Sequence, residues 1–427
     1  MAISPDLEII HSHIAENQPW VFWRLLDSFI QPKDWMDAVR AAMGCLKGLP
    51  VVEHNPEPSH WLADILSEDQ FGSDHWRLSR SKQLYYQFVR PVLPGFLHTP
   101  LRTLLLSRQK NGFALKWPIE DRYVRFQFEV VARLIANKQL DSIPYIHFWP
   151  AGKRFAFVLT HDIESAEGQN FVCEVAALDE KYGFHSSFNF VPEKYQVDLG
   201  LIKELKKRGF EVGVHGLKHD GRLFSSKAIF DARVKRINNY LKEWDAVGFR
   251  SPMTHRNPEW MQSLDIEYDS SFFDTDPFEP IPGGTMSIWP FQMGRFIELP
   301  YTLMQDHTLM VTLGETTPRL WLEKVGFIEK YCGMALVNTH PDYLKDPRHF
   351  TVYEAFLRKM RERDGYWHAL SRELARWWKK RAAVSLADSI GKDGKTSPDE
   401  FDFTIGVIQR RELSDDDSQL ILMSVTS

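Results

Sequence analysis

The chain has 427 residues, 43% of them hydrophobic and 26% charged, a globular mixture long enough for one large α/β domain with one or two smaller appendages. Fifty-two basic against 57 acidic side chains leave a formal charge of -5, which argues against a nucleic-acid partner by bulk charge. Cys45, Cys173 and Cys332 are widely spaced and form no CxxC pair, so neither a disulfide framework nor a thiolate zinc cage is expected, and a reducing compartment fits best.

The start, MAISPDLEIIHSHIAENQPW, lacks a basic stretch leading into an apolar run, and no segment reaches the ~18 apolar residues of a membrane span. A soluble cytoplasmic protein is the expectation. Residues 1–143 carry helix-compatible apolar spacing, as in LEIIHSHI and in DWMDAVRAAMGCLKG from Asp34. Between Leu84 and Lys110, apolar groups mix with Arg90, Arg102, Arg108 and Lys110. Pro91, Pro94 and Pro100 break any long helix there, which favours helices packed on a neighbouring domain over contact with a membrane surface.

Residues 144–381 change texture to short β-prone runs alternating with amphipathic helical stretches, the pattern of an α/β fold. The expected strands are FAFVLT (155–160), SSFNFV (186–191), FEVGV (210–214), AVGF (246–249), the stretch around Tyr268, RFIEL (295–299) and ALVN (335–338). Helices are expected over 199–209, 227–244 and 319–331. This many strands suggests a (β/α) barrel rather than an open sheet. Residues 382–427 include the turn-prone GKDGKTSPDE (391–400), and the alternation in FDFTIGVIQRREL suits a β-hairpin.

Several strand-like runs lead straight into polar residues suited to catalysis. FAFVLT precedes His161, Asp162 and Glu164; FEVGV precedes His215 and His219; AVGF precedes Arg250; ALVN precedes His340. Strand C-termini share one face of a parallel barrel, so these groups would converge there. Singly, each has a plainer reading: a turn role for Asp162 and Glu164, a surface ion pair for Arg250, a core position for His340. In HGLKH, two histidines four apart reach one ion if that turn is helical.

THDIE (160–164), HGLKH (215–219), RSP (250–252), YDSS (268–271) and NTH (338–340) follow the order and approximate spacing of the motifs of the polysaccharide deacetylase (NodB-homology) family, which this chain resembles over about 150–375. The resemblance implies a distorted (β/α) barrel holding one divalent metal ion, usually Zn2+. It implies Glu164, His215 and His219 as ligands, Asp162 as general base, Arg250 as the residue orienting that base, and His340 as general acid. The chain departs from the family in carrying Glu at the second acidic place, and in following Asp269 with Ser-Ser-Phe-Phe, with Asp274 a candidate rather than an assigned substitute for the acid usual there.

Two histidines and a carboxylate leave positions open for water and a carbonyl oxygen, and amide hydrolysis needs a base for the water and an acid for the departing amine. The expected activity is removal of an N-acyl group, chiefly acetyl, from an amino sugar or glycan precursor. Alternatives are a non-sugar amide or cyclic ureide as substrate, a non-haem iron site, and a glycan-binding module without turnover. Trp289, Tyr301 and Tyr343 are expected to contact substrate, with Asp306, His307 and Trp367 as further cleft candidates; His161 and His255 are rival ligands.

Overall fold

In chain order the strands are β1 (Ser142–Ile146), β2 (Phe155–Ile163), β3 (Ser187–Phe190), β4 (Glu211–His215), β5 (Gly248–Arg250), β6 (Tyr268–Asp269), β7 (Phe291–Met293), β8 (Phe296–Glu298), β9 (Met334–Thr339), β10 (Tyr366–His368), β11 (Ile405–Ser414) and β12 (Asp417–Ser424). The structure, a computed structural model, describes residues 17–27, 29–49, 58–72, 75–76, 110–384, 403–414 and 417–424.

β2 is the centre. All of its residues are buried, as the unbroken apolar run FAFVL demands of a parallel strand covered on both faces. It pairs in parallel with β9 on one edge, and with β10 and then β3 along the other. From β3 the sheet continues in parallel through β4, β5, β6 and β8, and ends on the antiparallel β7. The sheet curls into a half-barrel. Between β8 and β9 the wall is completed by residues 299–303: Leu303 N donates to Leu336 O (3.0 Å) and Thr302 Oγ1 to Met334 O (2.6 Å). The expected distorted α/β barrel is therefore present, with a seam.

Helices Leu199–Lys207, Lys227–Glu243 and Arg319–Lys330 stand where the amphipathic spacing put them. The first starts at an Asp198 side chain that accepts from Gly200 N and Leu201 N, and the second at Ser226, which accepts from Ile229 N. The aromatic, basic stretch 366–381 divides into β10 and the helix Ser371–Ala383.

Before the barrel, helices Pro32–Ala42 and Arg122–Lys138 bury their apolar faces. β1 pairs antiparallel with β11, and β11 with β12, so a small sheet joins chain from either side of the barrel. Arg381 pins this arrangement. Its buried guanidinium donates to the carbonyls of Phe22 (2.8 Å), Ile146 (2.9 Å) and His147 (3.1 Å) and lies over the Phe148 ring. A second tie is the buried pair of Arg256 with Glu68, Nε to Oε2 at 2.6 Å. Among the described residues no helix is long and apolar enough to cross a membrane. The stretch 84–109, weighed above as a membrane-contacting segment, lies outside them.

Candidate metal centre

The C-terminal ends of β2, β4, β5 and β9 deliver Asp162, His215, Arg250 and the residue before His340 to one end of the sheet. Alternation along β2 turns Asp162 inward and sends His161 to the other face. There His161 is fully buried, with Nδ1 2.7 Å from Thr339 Oγ1 and Nε2 3.0 Å from Asp179 Oδ2, so this rival ligand is a structural histidine.

The HGLKH segment is not helical beyond β4. Gly216 (φ +62°) and His219 (φ +52°) take left-handed conformations that swing the second imidazole back beside the first, ring centroids 5.1 Å apart. A Cβ at Gly216 would collide with the Pro252 ring, so the close packing of this loop on the RSP loop requires glycine.

His219 Nε2 lies 2.9 Å and His215 Nε2 3.7 Å from Glu164 Oε1, and one ligand atom from each of the three residues falls within 4.8 Å of the others. Both Nε2 atoms are buried without a well-formed hydrogen bond. His215 Nδ1, 3.1 Å from the Arg250 carbonyl, donates there, which leaves its Nε2 lone pair facing inward. Two such nitrogens and a carboxylate oxygen, at separations bracketing the roughly 3.3 Å between neighbours in a tetrahedral zinc shell, suit a divalent cation. Burial alone would raise the Glu164 pKa; the imidazoles of His215 and His219 beside it hold it well below the usual range, so its carboxylate is ionised.

Asp162 is fixed from three sides. Oδ1 accepts from Asn189 Nδ2 (2.9 Å) and Arg250 Nη1 (3.2 Å), and Oδ2 accepts from Asn338 Nδ2 (2.9 Å). Burial pushes its pKa up, but the Arg250 guanidinium, with the imidazoles of His215 and His340 nearby, outweighs this and holds it at about 2. Arg250 is anchored in turn by Ser270, whose carbonyl and hydroxyl accept at 2.7 Å and 2.6 Å. Asp269 accepts from the Ser271 hydroxyl (2.7 Å), and that hydroxyl accepts from Ser251 N (2.8 Å), tying the RSP loop to β6.

On the other flank, His340 Nε2 is 3.6 Å from Glu164 Oε1 while its Nδ1 lies 2.7 Å from Asp306 Oδ1. Tyr343 stands beside it half-buried, ring centroids 5.1 Å apart, and packs at a tilt against His307 at 5.3 Å.

Other expectations need correction. Trp289 is fully buried among Phe22, Phe128 and Phe148, with its indole donating to Cys332 O (2.9 Å), so it is closed to substrate. Tyr301 is buried with its ring over the Arg250 guanidinium at 5.9 Å, a support rather than a cleft wall. Trp367 pairs with Ala156 at the opposite end of β2 from the site. Asp274 does not replace a site acid: it is buried against Lys324, Oδ1 to Nζ at 2.8 Å. Asn189 and Asn338 escaped sequence reasoning altogether, and Asp306 was seen without its link to His340.

Solved structures of similar shape include polysaccharide deacetylases and an allantoinase. A protein from Mycobacterium smegmatis assigned to the polysaccharide deacetylases is 18% identical, over 55% of this chain and 94% of its own, with a TM-score of 0.46. Puue allantoinase is 12% identical over 56% and 95%, TM-score 0.45. A mutant of BA3943, a pseudoenzyme of the CE4 family with restored activity, is 16% identical over 53% and 69%, TM-score 0.36. No protein-family model and no curated protein matches the chain.

Proposed function

We propose that this protein is a metal-dependent hydrolase that removes an N-acyl group, in the first place acetyl, from an amino sugar or glycan precursor. The observation that carries this reading is the convergence of the Nε2 atoms of His215 and His219 on Glu164 Oε1, between an ionised Asp162 and an Asp306-bonded His340.

A divalent ion held by Glu164, His215 and His219, with zinc the natural choice for this donor set, supplies a Lewis acid for the amide carbonyl. The protein's own groups do the rest. Asp162 Oδ1 is occupied by Asn189 and Arg250, whereas Oδ2 accepts one hydrogen bond and faces His215 Nε2 at 4.0 Å. Oδ2 is thus the atom that takes the proton from the attacking water. As the carbon–nitrogen bond breaks, His340 Nε2 gives its proton to the leaving amine, and Asp306 holds the ring in place and favours its protonated form. Arg250 and the two asparagine amides keep Asp162 oriented, and Tyr343 borders the substrate.

The test is zinc content per chain by elemental mass spectrometry after loading and dialysis, for the wild type, His215→Ala and Glu164→Ala, followed by acetate release from acetamido sugars and short N-acetylglucosamine oligomers. About one zinc in the wild type, much less in both variants, and acetate release abolished by Asp162→Asn support the reading. Zinc absent from the wild type, or unchanged in both variants, overturns it.

A further inference from the structure

A cavity of about 10 Å³ lies against His219, walled by Leu217, Leu223 and Pro252 and by the polar groups of Asp220, Arg233 and His255. That is the size of a single water. Asp220 and Arg233 satisfy each other through two hydrogen bonds of 2.7 Å, and Lys218, which also lines the cavity, is exposed with its ammonium 3.9 Å from Glu193, so the imidazoles of His219 and His255 are the polar groups best placed to serve an occupant. His255 is only 6% exposed, and its Nε2 has no hydrogen-bond partner.

The two metal-facing histidines differ in their outer partners. His215 donates its Nδ1–H to the Arg250 carbonyl. His219 turns Nε2 to Glu164, and no described residue hydrogen-bonds its Nδ1. A metal-ligating imidazole ordinarily gives its second N–H to a carboxylate, carbonyl or water, and losing that partner weakens metal binding about 10- to 100-fold.

We propose that a water held in this cavity links Nδ1–H of His219 to Nε2 of His255, which makes His255 the positioning residue for the second metal-binding imidazole. The inference rests on the metal reading above. It explains why a buried imidazole with an open nitrogen sits beside the ligand loop instead of a leucine.

The experiment measures the zinc dissociation constant by competition with a chromophoric chelator for the wild type, His255→Leu and His255→Gln, with the melting temperature of each metal-free protein alongside. The expected result is zinc binding about 10- to 100-fold weaker in His255→Leu, recovery of most of it in His255→Gln, which restores a hydrogen-bonding group, and metal-free melting temperatures close to wild type. Wild-type affinity in His255→Leu overturns the inference and leaves the metal centre standing. So does equal weakening in both variants accompanied by lowered metal-free melting, which marks a packing role. A wild type that takes no zinc removes the metal centre, and this inference with it.

Discussion

The carboxylate of Asp306 grips His340 at two points: Oδ1 lies 2.7 Å from the ring Nδ1 and Oδ2 accepts the backbone N–H at 2.6 Å. Burial by itself would lower the His340 pKa, but Asp306, with Glu164 and Asp162 behind it, pushes it up to about 10. A general acid works while protonated, so activity is present below its pKa and lost as pH rises through it. Asp306→Asn removes the main raising charge. We expect kcat to fall by about 10² or more and the high-pH limb of kcat/KM to move to lower pH. An unshifted limb would show that Asp306 does not tune this histidine.

Gly213, on β4, makes room for Asn189, because a Cβ there would collide with Asn189 Oδ1. Gly213→Ala should push the amide off Asp162 while leaving Glu164, His215 and His219 in place. The expected outcome is a fall in kcat of up to about 10²-fold with zinc content unchanged. Lost zinc would mean that the strand itself had shifted.

Lys324 and Asp274 form a buried pair. Burial raises Asp274 to about 6, against the pull of Lys324, while the unfolded chain titrates near 3.8. The folded state therefore prefers the proton, and the contribution of this carboxyl to stability, complete below 3.8, is lost as pH rises through 6. Lys324→Met should cost about 3–5 kcal/mol at pH 7, where the buried carboxyl must either stay charged without its partner or take up a proton. The loss should be smaller at pH 5. Denaturant unfolding at the two pH values checks this, and an equal or larger loss at pH 5 would contradict it.

Arg381 satisfies backbone carbonyls from two separate segments, and no described carboxylate pairs with it. Arg381→Met strands those acceptors, at about 1–3 kcal/mol each, and should lower the melting temperature without touching zinc content. Arg381→Lys should rescue little, since one ammonium cannot reproduce the planar fork. Full rescue by lysine would assign the effect to charge alone.

Legibility in the sequence followed burial and chemistry unevenly. FAFVLT and ALVN announced β2 and β9 because strands covered on both faces read as continuous apolar runs. β10 hid inside a basic, aromatic stretch because its three residues are only half-buried, and β1 carries Pro144, a poor advertisement for a strand. The cluster of Glu164, His215 and His219 was readable because histidines and carboxylates stand out at strand ends. Asn189 and Asn338 were not, since an amide looks the same whether it braces a carboxylate or lies in solvent. Asp306 is separated from His340 by 34 positions and no spacing links them. Trp289 misled because an indole suited to stacking on sugar is equally suited to a core, and only packing tells them apart.

The pairing of β1 with β11 bears on how the chain is made. β1 leaves the ribosome before any barrel strand, while its partner emerges only after the whole barrel has been synthesised. Until then one edge of β1 has bare N–H and C=O groups, the kind of edge that recruits strands from other chains. Residues 405–424 therefore act as a seal, and deleting them should show itself first as aggregation during synthesis, before any effect on the chemistry at the barrel site.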